Sequence, residues 1–396
     1  MNAAGCLKVV HLSSAHEAGD TRILYKECKS LADAGHDVTL LAKHPDDAIV
    51  SGVKIKALRG NKNRWQRWTT GLWRVCHHAR RLRADLYHFH DPELIPLGIW
   101  LSLQGKRVIY DAHENLPNTF AYKYYIPAFA RKSLGWLAGR VENFAVRRFT
   151  AVVAATPTIG QRFAGYNANT IVVRNFPLLT ELAQGIARPW NERPPLVIYV
   201  GTMTPERGFR ETMEAMALLP RSLNARLAFA GLVSPTVRKE IVRSPCFDRT
   251  DLLGQLSRSE ISSLLGRARV GLVTLHPMPN FLNALPIKLF EYMSAGVPVV
   301  ASDFPLWRQI VEDSGCGLLV DPHDTTAIAN AIEYLLTHSE HARQMGERGR
   351  KAIEHRYNWA SEEQQLLALY ASPCCQPDRL GPKIQGTPET RFRPVP

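Results

Sequence analysis

The sequence predicts an α/β fold of two Rossmann-like parallel-sheet domains with a cleft between them. Three observations carry that expectation. The chain has 396 residues, more than one compact core usually holds. Short apolar, strand-like runs alternate with helix-period runs, the signature of a parallel doubly wound sheet. The alternation breaks once, at the Pro- and Gly-containing stretch "FPLLTELAQGIARPWNERPP", and then restarts.

The first domain, residues 1–178, opens with the strand "LKVVHLSS" and a helix around "RILYKECKSLADAG". Then follow "HDVTLLAK", a helix through 65–82, "DLYHFHD", a helix over 93–104, "RVIYDAHE", a long helical region to residue 148, "AVVAAT", a short helix and "TIVVRN". Residues 179–195 form the linker. The second domain, 196–355, repeats the alternation with "LVIYVGTM", "ARLAFAG", "TDLLGQL", "VGLVTLH", "PVVASD" and "GLLVD" as strands. Residues 356–371 predict a last helix crossing back to the first domain. The Pro-rich residues 372–396, Cys374 and Cys375 included, read as a disordered tail.

A hydrophobic fraction of 45% and a charged fraction of 21% describe a globular chain. No apolar run approaches the ~20 residues of a membrane span, and no signal peptide is expected at the N-terminus. Seven cysteines without a C-x-x-C pair give neither a disulfide framework nor a zinc spacing, which fits a reducing, cytoplasmic setting. The net charge of +13 points to an anionic partner or serves solubility alone. Residues 59–83 hold eight Arg/Lys, no acid and three tryptophans. Trp65 and Trp68 share one helical face with Leu72, while Arg64, Arg67, Arg74 and Arg81 occupy others. Such a helix can lie on an anionic bilayer, or be a domain helix with a solvated basic face. No nucleic-acid-binding motif accompanies the charge, so nucleic acid is not expected as a partner.

In open parallel sheets ligands sit outside the carboxyl ends of the strands, which directs attention to strand-to-helix loops. Neither the dinucleotide fingerprint nor the P-loop occurs, which removes the usual sequence support for NAD-type redox and ordinary ATPase chemistry. In "PIKLFEYMSAGVP", Lys288 stands in the first turn of a helix, where the dipole disfavours a cation unless an anion is bound. Glu291 follows within a turn. The two read either as a clamp for phosphate and ribose or as an i,i+3 ion pair. In "LVIYVGTMTPERGFRETMEAM", Gly201 lets backbone approach a ligand and Arg207 stands at a helix entrance. His88 and His90 are expected on opposite faces of their strand, with His88 structural. His113 or Glu114, at the end of "DAHE", reads as a contact to a second substrate or as a helix-capping charge, and Arg22 as a phosphate contact. The spacing of His88, His90, His113 and Glu114 matches no closed zinc pattern, and no metal is expected.

The blocks "YVGTMTPERG", "LLGQLSRSE" and "PIKLFEYMSAGVP" resemble the retaining glycosyltransferases of family 4. "DTRILYKECKSLADAGHDVTLLAKH", "YHFHDPELIPLG", "VIYDAHE" and "VVRN" fall in that family's order, so the resemblance spans residues 7–371. It implies the GT-B fold, with the nucleotide diphosphate sugar (UDP or GDP) on the C-terminal domain and the acceptor on the N-terminal one. It implies hexosyl transfer with retention and without a metal cofactor. Donor contacts carried over are Gly201, Thr202, Arg207, Gly254, Lys288, Leu289 and Glu291. Glu291 matches the second glutamate of the family's E-x7-E motif; the first falls at Asn283. Thr202 replaces a companion arginine. His90 matches the histidine that contacts the transferred sugar, so His90, Asn283, Arg207 and Lys288 would surround the reacting centre. A lipid-linked acceptor would place the protein peripherally at the inner face of the cytoplasmic membrane, in surface polysaccharide synthesis. A sugar-nucleotide epimerase and an inactive nucleotide-sugar-binding subunit are the competing readings.

Overall fold

The computed structural model describes residues 6–58, 70–120, 126–179 and 188–376, which build two parallel sheets. The first contains β1 (Lys8–Glu17), β2 (Asp37–Lys43), β3 (Ala48–Val50), β4 (Val53–Leu58), β5 (Leu86–Phe89), β6 (Arg107–Ala112), β7 (Ala151–Ala154) and β8 (Thr170–Val172). Their order is β3-β4-β2-β1-β5-β6-β7-β8. The second contains β9 (Leu196–Val200), β10 (Arg226–Ala230), β11 (Thr250–Gly254), β12 (Val270–Val273), β13 (Val299–Ser302) and β14 (Gly317–Val320), ordered β11-β10-β9-β12-β13-β14.

Strands such as β5, β7, β12 and β13 are buried at every position, as strands covered by helices on both faces must be. In β1, Val10 and Leu12 enter the core on one face and Val9 the core on the other. Two further cores sandwich the second sheet, with Ile198 on one side and Val197 on the other.

Three features depart from the sequence expectation. Strand β3 pairs antiparallel with β4 through the two-residue turn Ser51–Gly52, whose φ values of 51° and 80° suit a primed hairpin turn. That hairpin is missing from the sequence reading. The first helix begins as a π-helix, Thr21–Cys28, before Lys29–Asp33, and its wider turn buries the charged residues Arg22, Lys26 and Glu27. The helix expected over 65–82 is present over Leu72–Leu82, its described part, and ends on Arg83 in the left-handed region; Arg64, Trp65, Arg67 and Trp68 lie outside the described residues. Residues 372–376 are not a disordered tail. They form a turn that buries Cys375, and only 377–396 lie outside the described residues.

The helix Trp359–Ala371 packs on the first sheet's core. Trp359 Nε1 donates to Ser30 Oγ at 3.0 Å, Tyr370 Oη contacts His88 Nδ1 at 2.9 Å, and Glu362 accepts from the Arg174 backbone at 2.7 Å. No described helix is long and apolar enough to cross a membrane.

Candidate functional site

A cavity of about 580 Å³ lies where the carboxyl ends of the two sheets meet, a volume ordinary for a small-ligand site. Its C-terminal wall is built by three loops. After β9 the chain turns at Gly201, with φ +123°, and reaches the short turn Pro205–Arg207. Gly208 follows at φ +71°, and a Cβ there would lie 2.0 Å from the Thr274 carbonyl oxygen. Only glycine lets the Arg207 turn lie against the loop after β12. The Arg207 guanidinium sits 5.7 Å over the Phe281 ring and has no carboxylate partner among the described residues.

Lys288 meets Arg207 at the bare side of Gly201. A Cβ on Gly201 would stand 3.5 Å from Lys288 Nζ and 3.6 Å from Arg207 Nη1. The Lys288 ammonium is buried, lies 3.5 Å from the Tyr199 ring centroid and has no hydrogen-bond partner. Burial, then Arg207, hold its pKa well below the lysine value of 10.5 against the pull of Glu291. Three unsatisfied donors beside a second cation form a site for an anion with several oxygens.

Glu291, one helical turn further along Ile287–Ser294, does not pair with Lys288. Its Oε1 accepts from Arg258 Nη1 at 2.6 Å. Arg258 opens the helix Arg258–Leu265, fixed by a capping box between Ser257 and Glu260. Asn283 lines the cavity as the C-cap of Pro279–Leu282, on a loop held by Trp307 Nε1 donating to the Ala284 carbonyl at 2.8 Å.

The N-terminal wall comes from the ends of β6 and β7: His113, Glu114, Asn115 and Asn118, then Thr156 and Thr158. Thr156 caps the helix Pro157–Ala164, accepting from the Ile159 N–H. Behind this wall lies a buried charge network. Arg22 donates from Nε and Nη2 to the two Asp111 oxygens at 3.1 and 3.0 Å, and its Nε lies 2.9 Å from Glu27. Against the cost of burial, Arg22 and His113 hold the Asp111 carboxyl well below its usual range. Burial and Asp111 push Glu27 up. Burial also lowers His11, His88 and His90, which keeps these rings neutral.

Several expected contacts are corrected here. The His90 side chain is 0% exposed: Nδ1 lies 3.2 Å from Asp111 and Nε2 2.9 Å from His11 Nδ1, so it does not line the cavity. His113 does line it, with Nε2 held 3.0 Å from Asp111 Oδ2. His88 and His90 share one face of β5, rings stacked at 4.9 Å, because residues two apart on a strand point the same way. Arg22 is buried against Asp111 and Glu27 and does not line the cavity. Leu289 is a core residue whose N–H donates to the Pro286 carbonyl, and Thr202 and Gly254 stand outside the cavity wall. Glu27, His88, His90 and Asp111 offer ligand atoms within 4.8 Å of one another. Arg22 already supplies the positive charge there, and the set does not fit a further cation.

The sequence reading missed Arg258, Asn115, Asn118, Thr156, Thr158 and Trp307. Four of these follow the ends of "RVIYDAHE" and "AVVAAT", where the strand-end rule applied to both sheets would have found them.

The chain matches two family models. Residues 186–352 match the model "Glycosyl transferases group 1", and residues 19–176 match "Glycosyltransferase Family 4". An alpha-D-kanosaminyltransferase of Streptomyces kanamyceticus is 29% identical over 179 residues, covering 44% of this chain and 45% of that protein. A GDP-mannose:cellobiosyl-diphosphopolyprenol alpha-mannosyltransferase of Xanthomonas oryzae pv. oryzae is 24% identical over 70% of this chain and 71% of its own. Among solved structures, sucrose-phosphate synthase from Thermosynechococcus elongatus superposes with a TM-score of 0.74 at 21% identity, covering 92% of this chain and 98% of that one. Anabaena HepE in complex with UDP superposes with a TM-score of 0.68 at 17% identity, covering 91% and 98%.

Proposed function

The chain belongs to the group 1 glycosyltransferases of the GT-B fold, and from that premise we propose that it moves a hexosyl group, with retention, from UDP- or GDP-sugar to a lipid-linked saccharide acceptor. One observation carries the donor reading: the buried, unpartnered Lys288 ammonium converges with Arg207 on Gly201, one helical turn from the Glu291 carboxylate. The two cations suit the diphosphate, and Glu291 suits two neighbouring ribose hydroxyls. The mannosyltransferase relative, named for GDP-mannose, and Anabaena HepE, also solved in complex with UDP-glucose, support a nucleoside diphosphate sugar as the donor.

In the proposed step the bond from the sugar's anomeric carbon to the β-phosphate oxygen breaks. A bond to the acceptor oxygen forms on the same face, and the acceptor proton passes to a leaving phosphate oxygen. No divalent metal is required: Arg207 and Lys288 offset the charge that develops on the diphosphate. Asn283 offers hydrogen bonds to the sugar but no negative charge. In this reading His113, which lines the cavity and is backed by Asp111, orients the sugar or the acceptor hydroxyl in place of His90. Glu114 and the cavity-lining Asn115 and Asn118 belong to the acceptor side. The acceptor's lipid would hold the enzyme peripherally at the cytoplasmic membrane surface.

Thermal-shift binding of UDP, GDP, ADP and TDP to the wild type and to Glu291→Ala tests the donor site. One nucleotide is expected to stabilise the wild type and much less the variant. Equal stabilisation of both proteins, or none of either, overturns the assignment.

A further inference from the structure

We propose that Glu211, His276 and His323 form a binding site for one divalent first-row transition ion, zinc being the natural probe, on the outer side of the loops that carry the phosphate-binding cations. The three side chains come from three elements of the second domain. Glu211 stands in the first turn of the helix Phe209–Leu218, His276 in the loop after β12, and His323 in the turn after β14. Each offers one ligand atom, and all three atoms lie within 4.8 Å of one another.

Two features distinguish this cluster from a chance gathering of polar residues. Glu211 Oε2 and His276 Nε2 stand 3.1 Å apart, yet both atoms are shielded from water and neither has a hydrogen-bond partner. Two ligands on one tetrahedral zinc-like ion, at bonds of roughly 2.0–2.2 Å, are separated by about 3.4 Å. The pair therefore needs to open by only a few tenths of an ångström, about 0.3 Å, to take an ion between them. His323 supplies the third ligand from the open side, its ring centroid 4.2 Å from that of His276. Exposure of His323 leaves an entry path and room for a water as fourth ligand. Two imidazoles and one carboxylate suit zinc, iron(II), cobalt or nickel, and suit magnesium or calcium poorly. Unlike the buried cluster of the first domain, no arginine is ion-paired with Glu211 among the described residues.

The loops are already tied together here. The His276 N–H donates to the Glu206 carbonyl at 3.0 Å, and Thr212 Oγ1 meets Thr274 Oγ1 at 3.3 Å. Glu206 precedes Arg207. A bound ion would tie the helix that follows the Arg207 turn to the loop after β12 and the turn after β14. It would brace the wall from which Arg207 reaches the cavity without touching the donor. The inference is thus independent of whether transfer itself needs a metal.

The test is calorimetric titration of the metal-stripped full chain with Zn2+, with Co2+ visible absorption as a second readout. The wild type should bind one ion per chain. His323→Ala, at an exposed position that the fold does not need, and Glu211→Gln should each weaken binding by more than the about 10- to 100-fold that loss of an outer-shell partner costs. Both should lose the Co2+ ligand-field band. His341→Ala, on a distant exposed histidine, should bind like the wild type. Zn2+ should raise the wild-type Tm and not that of His323→Ala. No binding, or equal binding by the wild type and His323→Ala, overturns the proposal, the second result placing the ion elsewhere.

Discussion

Arg258 Nη1 donates to Glu291 Oε1 at 2.6 Å, joining the first residue of one helix to a carboxylate that the helix Ile287–Ser294 carries into the cavity wall. Glu291 is 5% exposed and is flanked by Leu289, Phe290, Tyr292 and Met293, all in the core. A carboxylate so placed needs a partner. Arg258 provides one from a half-exposed position, leaving the second carboxylate oxygen for a ligand. Removing the arginine should therefore misorient Glu291 rather than unfold the domain. Arg258→Ala should weaken nucleotide diphosphate binding by about ten-fold, the equivalent of about 1.4 kcal/mol, with Arg258→Lys intermediate. Calorimetric titration with the preferred nucleotide checks it; wild-type affinity in Arg258→Ala would remove the orienting role.

Lys288 should exchange stability for binding. Its buried ammonium lacks any hydrogen-bond partner, a condition that costs about 1–3 kcal/mol. Lys288→Met should raise the urea midpoint of the ligand-free protein and abolish diphosphate binding. The pH signs follow. The folded-state pKa lies below the unfolded value near 10.5, so between the two the unfolded chain binds more protons. Wild-type stability should rise with pH through that window, and the variant should lose this slope. A bound diphosphate restores the charge, so binding takes up a proton there and affinity falls as pH rises. Calorimetry in buffers of different ionisation enthalpy would detect that uptake.

Two glycines with nearly the same backbone should respond differently to alanine. Gly208 and Gly254 have φ values of 71° and 70°. At Gly254 an added Cβ meets nothing within 4 Å, leaving only the left-handed strain of about 1–2 kcal/mol. At Gly208 it would lie 2.0 Å from the Thr274 carbonyl oxygen and must push the Arg207 turn away. Gly208→Ala should cost about 2–5 kcal/mol and weaken nucleotide binding, while Gly254→Ala keeps it. Denaturant unfolding of the two variants side by side measures the difference.

How much of this was legible in the sequence depends on the range of the interactions. Strand–helix alternation and the Lys288–Glu291 spacing are local, and both sheets and the cation-bearing loops follow from them. The alternative pairing of Lys288 with Glu291 was equally local, yet Arg258, thirty-three residues away, takes the carboxylate. Likewise the chain order puts His90 at a strand end, facing a ligand. Its burial depends on Arg22 and Glu27 arriving on a π-helical turn that no local pattern announces. His113, two residues beyond Asp111, was visible as a candidate and became the cavity residue because the shared carboxylate holds its ring there.

The helix Ala128–Val146 presents the face on which membrane attachment can be decided within the described residues. Phe129 is 88% exposed, Trp136 65% and Leu137 52%, without a covering element among the described residues, and Phe144 is half exposed. Arg131, Lys132, Arg140 and Arg148 are interleaved with them; the Arg140 guanidinium lies 5.5 Å from the Trp136 ring centroid and that of Arg148 3.9 Å from Phe144. Trp73, 64% exposed on Leu72–Leu82, adds a further exposed aromatic to the same domain, on the helix that carries Arg74 and Arg81. Rings at headgroup depth and cations against anionic lipid are the two components of interfacial binding, each Lys/Arg near the surface contributing about 1 kcal/mol. Sedimentation with vesicles of anionic and of neutral lipid separates them. The wild type should bind anionic vesicles, less at high salt, and neutral ones weakly. Phe129→Ser/Trp136→Ser should reduce binding at all salt concentrations, since its loss is apolar, whereas Arg131→Ser/Arg140→Ser should reduce mainly the salt-sensitive part. Binding by both variants equal to the wild type would assign this face to another partner and take from the chain its proposed place at the membrane.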